Sequence, residues 1–425
     1  MAREHSIGRG IGGGFRFNFN LADKYCCSLS GRCFGYFQVK IFQAMIFQLF
    51  ASVVLVFYAI LIIAVSIGWW KLKVFKKSGT KPKISVSVIV AVRNEAGNIE
   101  TLLHSLLQQD YQHLEIIIVD DHSTDGTKIL LEELSENLKT GQELKILTLS
   151  MEEGSGKKAA LSLGINSSSG ELIVITDADC TAGVSWIRSL ASFYTEYKPQ
   201  MILGPVRMAD DGTFFGKLQS LEFISLISSA AGSCNAGFPL LANGANIAFT
   251  RQAFDNSGGF SENMQYPSGD DMFLMMNIKR NFGSQSIRFI KATEAIVNTP
   301  STLGLKPFLQ QRMRWVSKSR GYTDPVLILT SVLVFLANAC LVVAGVSALL
   351  FPVSYKFFLL FFLTKLIIDM PLMLSYSKFQ KSTALMWLFP VMELLNAVYT
   401  LFIGIVGNFG KYEWKGRKSS TNLHK

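Results

Sequence analysis

The sequence predicts an α/β domain with a mainly parallel sheet, inserted between membrane-spanning helices. Three observations lead there. Apolar, strand-like runs alternate with helical patterns between residues 84 and 300, the order expected of parallel strands with helices on both faces. Apolar segments without charge flank that region at 41–70 and 325–355. Three of the strand-like runs end in polar clusters. Such sheets bind ligands outside the carboxyl ends of their strands, so the clusters belong to one rim.

Taken in order, residues 1–40 form a polar, Gly-rich tail without hydrophobic periodicity. It is expected to be disordered, or to precede a true start at Met45. Residues 41–70 carry no charge and exceed the roughly 20 apolar residues that span a bilayer. The run is too long for a cleaved secretory signal and reads as a retained anchor. Trp69 and Trp70 close it, and Lys71, Lys73, Lys76, Lys77, Lys81 and Lys83 follow without an intervening acid. Lysines beside a span mark the cytoplasmic side, and Trp favours the interface. This reading is preferred to nucleic-acid binding, the other meaning of such a run. The expected location is therefore a cell (inner) membrane, with the following domain in the cytoplasm.

Residues 84–92, 114–120, 144–149 and 172–176 read as strands, and 98–109, 126–138 (N-cap Asp125) and 158–165 as helices. They belong to one domain at 84–300. Residues 301–324 read as an interfacial segment and 325–410 as a C-terminal membrane region with apolar stretches at 325–355, 357–376 and 384–408. A basic tail follows at 411–425. Three full crossings would put that tail opposite the 84–300 domain, so one stretch is expected not to cross. The suspect is 357–376, because Lys365 and Asp369 are costly at the bilayer centre, although four apart on a helix they can pair. A re-entrant segment at Pro390 is the other option. The six cysteines show no disulfide or zinc spacing and read as free thiols.

Four clusters carry chemistry. Thr176-Asp177-Ala178-Asp179 follows an apolar run, and alternate side chains at a strand tip point the same way. Two such carboxylates can share one Mg²⁺ or Mn²⁺ with substrate phosphates. Val119-Asp120-Asp121-His122-Ser123 offers an acceptor-only carboxylate to a nucleobase donor edge. Neighbouring strand residues face opposite ways, so Asp121 or Asp120 fills that role, not both. Gly269-Asp270-Asp271 can supply a general base for a hydroxyl, or two acids at a helix start. Gln311-Arg312-Met313-Arg314-Trp315 puts Gln311, Arg314 and Trp315 on one helical face. There Arg314 can fork onto a diphosphate. The alternative is an interfacial helix with Arg312, Arg314, Lys318 and Arg320 at the headgroups and Trp315 as anchor.

A spaced Asp, D-x-D, a later Asp and Q-x-x-R-W in this order resemble family 2 glycosyltransferases of the GT-A fold. The membrane-integrated branch is most similar: cellulose, chitin and hyaluronan synthases and ceramide glucosyltransferase. The resemblance covers roughly residues 84–320. It implies a metal-dependent, inverting hexosyl transfer from a UDP-sugar to a growing polysaccharide or a lipid. Asp179 is then the surer metal ligand and Asp177 lies nearer the nucleotide. Asp121, or Asp120, meets the uracil. Glu95 matches the family's Asn-Glu pair near the nucleoside, or is a first-turn acid of the next helix. Lys157 matches a Gly-Lys pair that offsets phosphate charge, a role Lys158 could take instead. Asp271 is the base and Asp270 its support. Gln311, Arg314 and Trp315 meet diphosphate and acceptor. Asn243–Phe249 and Gly258–Phe260 read as family-like loops or ordinary turns. Protein partners are unknown.

Two other classes compete. A polytopic transporter or lipid-handling protein whose soluble domain only binds nucleotide would predict more than four spans and no need for both Asp179 and Asp271. A dinucleotide oxidoreductase would need G-x-G-x-x-G after the first strand, where Ala91-Val92-Arg93-Asn94-Glu95 stands instead.

Overall fold

The computed structural model describes residues 26–76, 82–136, 143–150, 152, 154–266, 268–351, 354–407, 411–414 and 417–420, with side chains from 42 to 407. The chain divides after Ser52. Helix α1 runs Cys26–Lys71, so helix begins well before the anchor boundary expected near 40. Lys77 and Lys81 of the basic run lie outside the described residues. So do residues 1–25 of the polar tail and all of the basic tail's side chains.

Strands and helices then alternate: β1 Val86–Val92, α2 Ile99–Leu107, β2 Leu114–Asp120, α3 Thr127–Glu136, β3 Glu143–Thr148, α4 Lys157–Asn166 and β4 Leu172–Ile175. Asp125, expected as the N-cap, stands one residue farther out: Gly126 (φ 92°) directly precedes α3, and the Asp125 carboxylate reaches over it to accept from Thr127 N at 3.1 Å. A short β5 (Thr181–Ala182) and α5 (Trp186–Tyr197) lead to β6 (Met201–Leu203), β7 (Val206–Met208) and the long α6 (Phe214–Asn235). After these come β8 (Ile247–Thr250), α7 (Arg251–Asn256), α8 (Asp270–Phe282), β9 (Ile287–Phe289), β10 (Val297–Thr299) and α9 (Leu305–Ser317).

The main sheet has the order β3-β2-β1-β4-β8-β6-β9. β1 pairs in parallel with both β2 and β4, and their residues are almost wholly buried. Val92 stands opposite Asp120, so the tips of β1 and β2 are level. β8 enters antiparallel beside β4. That brings the loop before it, Asn243–Asn246, to the same rim, where Thr176 Oγ1 donates to Ala245 O at 2.8 Å. A small sheet, β5-β10-β7, stands apart.

The second half of α1 is fastened to this domain. Gly68 and Gly232 meet backbone to backbone: a Cβ on Gly68 would lie 2.0 Å from Gly232 O. Only glycine permits α1 and α6 to cross so closely. Lys291 Nζ donates to Trp69 O and Leu72 O at 3.1 and 3.0 Å. Its charge thus sits at the helix carboxyl end, where a cation is favoured. Trp69, expected at the lipid interface, is instead 1% exposed. It packs on Tyr376 and Phe379 and donates to Ser375 Oγ at 2.9 Å. Trp70, 54% exposed, is the outward ring.

Three further apolar helices follow: α10 Pro325–Leu350, α11 Tyr355–Phe379 and α12 Phe389–Val406. With Phe42–Lys71 of α1, four segments are long and apolar enough to cross a membrane. Large apolar residues such as Leu329, Leu349, Leu360, Ile367, Val398 and Ile405 face outward, as lipid contact requires and water does not favour. The 357–376 stretch is among the four by length and composition. Its charges are matched inside the bundle. Lys365 Nζ lies 3.0 Å from Asp369 Oδ2 and also pairs with Glu393. Tyr58 Oη donates to the Asp369 carboxylate at 2.8 and 2.9 Å and accepts from Lys365 at 3.2 Å. One lysine therefore serves two acids drawn from α11 and α12, with α1 completing the cluster.

Lys365→Met leaves Asp369 and Glu393 buried without a cation, which should cost about 3–5 kcal/mol. The measurement is thermal melting of the full chain in detergent. A clear drop is expected, with partial recovery when Glu393→Gln is added. An unchanged melting temperature for Lys365→Met would contradict this role.

Candidate active site

The rim is laced together before any substrate arrives. Asn94 has a left-handed backbone (φ 52°), which turns its side chain to accept from Thr124 N at 2.8 Å. Arg93 donates to Asp121 O and His122 O at 2.6 and 3.2 Å. Asp121, just past β2, accepts from Gly156 N at 3.1 Å, which joins the β2 tip to the start of α4. Glu95 accepts from Asn98 Nδ2 at 2.8 Å, just ahead of α2.

A cavity of about 900 Å³ opens here. Glu95, Asp121, Lys157, Asp177 and Asp179 line it. Asp120 does not; its carboxylate turns to Ser123 N at 3.3 Å. Lys158 does not either: it is buried and donates to Asn263 O and Tyr266 O at 2.6 and 2.9 Å. Burial, only partly offset by Asp270, lowers the Lys158 ammonium to about 8. The adjacent-residue alternation of the sequence thus resolves in favour of Asp121 and Lys157 as the cavity-facing members.

Lys157 joins the two acidic clusters. Its Nζ is 2.6 Å from Asp177 Oδ1 and 3.2 Å from Asp270 Oδ2. Burial alone would lower its pKa, but Asp177 and Asp270 outweigh burial and hold it well above the usual lysine range. Asp271 is tied more tightly. Oδ1 accepts from Lys318 Nζ at 3.1 Å and Met272 N at 2.7 Å, and Oδ2 from Gly244 N at 3.1 Å. Burial would push its carboxyl up; Lys318 and Lys157 reverse that and hold it below the usual carboxylate range.

Asp177, Asp179 and Cys180 carry ligand atoms within 4.8 Å of one another. Burial first, and then the Asp179 and Asp177 charges, push the Cys180 thiol well up, so it stays a neutral, poor ligand. The two partly exposed carboxylates are the donors that suit a hard divalent cation shared with phosphate oxygens.

The α9 motif forms another wall. Gln311, Arg314 and Trp315 line the cavity. Gln311 Oε1 accepts from Thr302 Oγ1 at 3.1 Å and from Arg312. Arg312 departs from the headgroup position of the interfacial alternative. It is 1% exposed and pairs with Glu222 of α6. Its guanidinium also lies over the Phe308 and Trp315 rings, 4.6 and 4.0 Å from their centroids. Such cation–π contact orients Trp315 toward the cavity. Lys318, the other residue assigned to headgroups in that alternative, turns inward to Asp271. Beyond α9 the same cavity continues between the apolar helices, past Asn396 and Tyr399 to Lys365, Asp369 and Glu393. Asn243, Gly244 and Ala245 line it, whereas Gly258 and Gly259 do not.

Residues 87–258 match the model of the family described as Glycosyl transferase family 2. The poly-β-1,6-N-acetyl-D-glucosamine synthase of Staphylococcus aureus (strain MSSA476) is 26% identical over 243 residues, 55% of this chain and 56% of that relative. The synthase of the same name from Staphylococcus epidermidis is 27% identical over 242 residues, 54% of this chain and 53% of the relative. The chain thus spans about half the length of the curated relatives it matches. Among solved structures, a mannosyltransferase from Pyrobaculum calidifontis in complex with GDP-Man and Mn²⁺ superposes with a TM-score of 0.53 at 18% identity. It covers 84% of this chain and 97% of its own. The parallel sheet with its acidic rim, the family match and this shared architecture lead to one conclusion: the chain carries a family 2 glycosyltransferase domain of the GT-A fold, set between helices long enough to cross a membrane.

Proposed function

We propose that the protein is a membrane-bound, metal-dependent, inverting transferase that moves a sugar from a UDP-sugar onto a growing polysaccharide. The observation that carries this is the single cavity shared by the strand-tip carboxylates, Asp270–Asp271, the Gln311–Trp315 wall and the helix bundle. A donor diphosphate near Asp177 and Asp179 and a hydroxyl near Asp271 would then meet in one shared space. The polysaccharide acceptor is preferred to a lipid because the curated relatives are named as polysaccharide synthases. The cytoplasmic face is the proposed side for residues 71–324, from the lysines that follow α1.

In this reading Glu95 and Asp121 hold the nucleoside, with the Asp121 carboxylate accepting from the uracil N–H. Lys157 and Arg314 face the diphosphate, where the Arg314 fork matches two phosphate oxygens. A divalent cation at Asp179 and Asp177 would offset the charge that builds on the departing UDP. Trp315 offers its ring to the acceptor sugar. The acceptor hydroxyl attacks the anomeric carbon, the bond from that carbon to the diphosphate oxygen breaks, and Asp271 takes the hydroxyl proton. One displacement inverts the anomeric centre, so an α-linked donor yields a β-linked product. Asp270 supports the base through their shared neighbour Lys157.

Asp271→Asn keeps the shape but removes basicity. Transfer should fall by roughly 10²-fold or more, while UDP binding, measured by calorimetry, persists. An active Asp271→Asn beside an inactive Asp270→Asn would move the base to Asp270. In parallel, Asp179→Ala should lose transfer at normal abundance in the membrane. Excess EDTA should stop the wild type until Mg²⁺ or Mn²⁺ is returned, and full turnover in EDTA would remove the metal from the scheme.

A further inference from the structure

Lys318 begins the 3-10 turn that directly follows α9. Its Nζ reaches back to Asp271 Oδ1 at 3.1 Å, and both side chains are largely shielded from water. The lysine stem crosses the turn that launches α8. Gly269 there has φ +90°, and a Cβ on it would lie 2.8 Å from Lys318 Cδ. Ser268 Oγ, in the same turn, donates to Arg314 O at 3.3 Å. The end of the Gln311–Trp315 motif and the start of the helix bearing Asp271 are thus bolted together, with the ammonium as the bolt at the carboxylate.

The lysine is oriented to leave the other oxygen in use elsewhere. Oδ1 takes Lys318 and Met272 N, while Oδ2 accepts from Gly244 N alone among the bonds described above. A carboxylate oxygen has two lone-pair sites, so Oδ2 retains one for an acceptor hydroxyl. The charged and titratable groups facing Asp271 are Lys318 and Tyr322 from the turn after α9, Lys157 and Lys158 from α4, and its neighbour Asp270. Lys157 is shared with Asp177 and Asp270, and Lys158 is spent on Asn263 O and Tyr266 O. Lys318 is the ammonium whose contacts centre on Asp271.

We infer that Lys318 is a positioning residue: it fixes the Asp271 carboxylate with Oδ2 toward the acceptor and keeps it charged within a shielded site. This rests on the proposed role of Asp271 as base. It links the diphosphate and acceptor motif to the proton acceptor, so that the base is in place only when α9 is seated.

The test uses the full chain in detergent with UDP-N-acetylglucosamine as donor probe and released UDP as readout. Removing the ammonium raises the Asp271 pKa, so activity is lost at higher pH. In Lys318→Gln the acid limb of the kcat profile should move up by about one pH unit or more, with kcat reduced more than KM is changed. Lys318→Arg should return the limb toward the wild-type pH. A second readout needs no donor: the melting temperature of Lys318→Gln should fall below wild type at pH 7, and the gap should narrow as the pH drops to 5. There the uncompensated carboxyl takes up a proton. A gap that does not change with pH, or an acid limb that stays in place in Lys318→Gln, would overturn the positioning role. Asp271→Asn separates the two ideas. If it retains wild-type transfer, the base assignment fails; if it is inactive while Lys318→Gln keeps the wild-type limb, only the Lys318 inference fails.

Discussion

Asp177 and Asp270 are ninety-odd residues apart in the chain and meet on one ammonium, that of Lys157. The rest of the site depends on this constraint. Asp121, Asp177, Asp179, Asp270 and Asp271 all face one cavity, and like charges gathered in a shielded space oppose one another. The domain meets that opposition with lysines placed from two directions: Lys157 at the start of α4 and Lys318 after α9. Lys318 and Lys157 hold the Asp271 carboxyl below the usual carboxylate range, the state that proton abstraction needs. Folding stability and chemical competence therefore draw on the same contacts here.

A second constraint operates at the helices. α9 must lie against α6 so that its motif faces the rim, and the buried Arg312–Glu222 pair sets that contact. Arg312 touches Gln311 and the Trp315 ring as well, so one guanidinium orients two wall residues. On the other side of the cavity the Lys365, Asp369, Glu393 and Tyr58 cluster lines the part that lies among the apolar helices. Ionisable groups at membrane depth face cavities and pair with one another, and all four do so. The domain and the helices thus build one chamber rather than an enzyme with a separate anchor.

Most of the sheet was legible from the residues. ISVSVIVAV and LEIIIVD are mainly apolar runs that end at polar clusters, the pattern of strands buried on both faces. β8 was harder. Asn243–Phe249 looked like a loop, because its four-residue strand has no alternation of its own and takes its place from pairing with β4. Asp121, Asp177, Asp179, Asp271, Gln311, Arg314 and Trp315 were visible because chemistry fixes both their type and their order. Arg312 and Lys318 were hidden in a basic run that has the composition of a headgroup-facing helix. Only the distant partners Glu222 and Asp271 turn them inward. Trp69 failed for the same reason: its neighbours Ser375, Tyr376 and Phe379 lie some three hundred residues on. Local pattern reports what a residue prefers, and long-range partners decide where it goes.

Sugar transfer itself is the decisive measurement. Membranes carrying the protein are incubated with a panel of radiolabelled UDP-sugars, and the products are divided into lipid-extractable and polymeric fractions. The linkage of any product is then read by NMR. Label from a UDP-sugar is expected to enter the polymeric fraction in a β-linkage. Label confined to the lipid fraction would replace the polysaccharide acceptor with a lipid one. An α-linkage would contradict single displacement at Asp271. No incorporation from any UDP-sugar by folded protein that still binds UDP would contradict the transferase reading and favour a nucleotide-binding transporter.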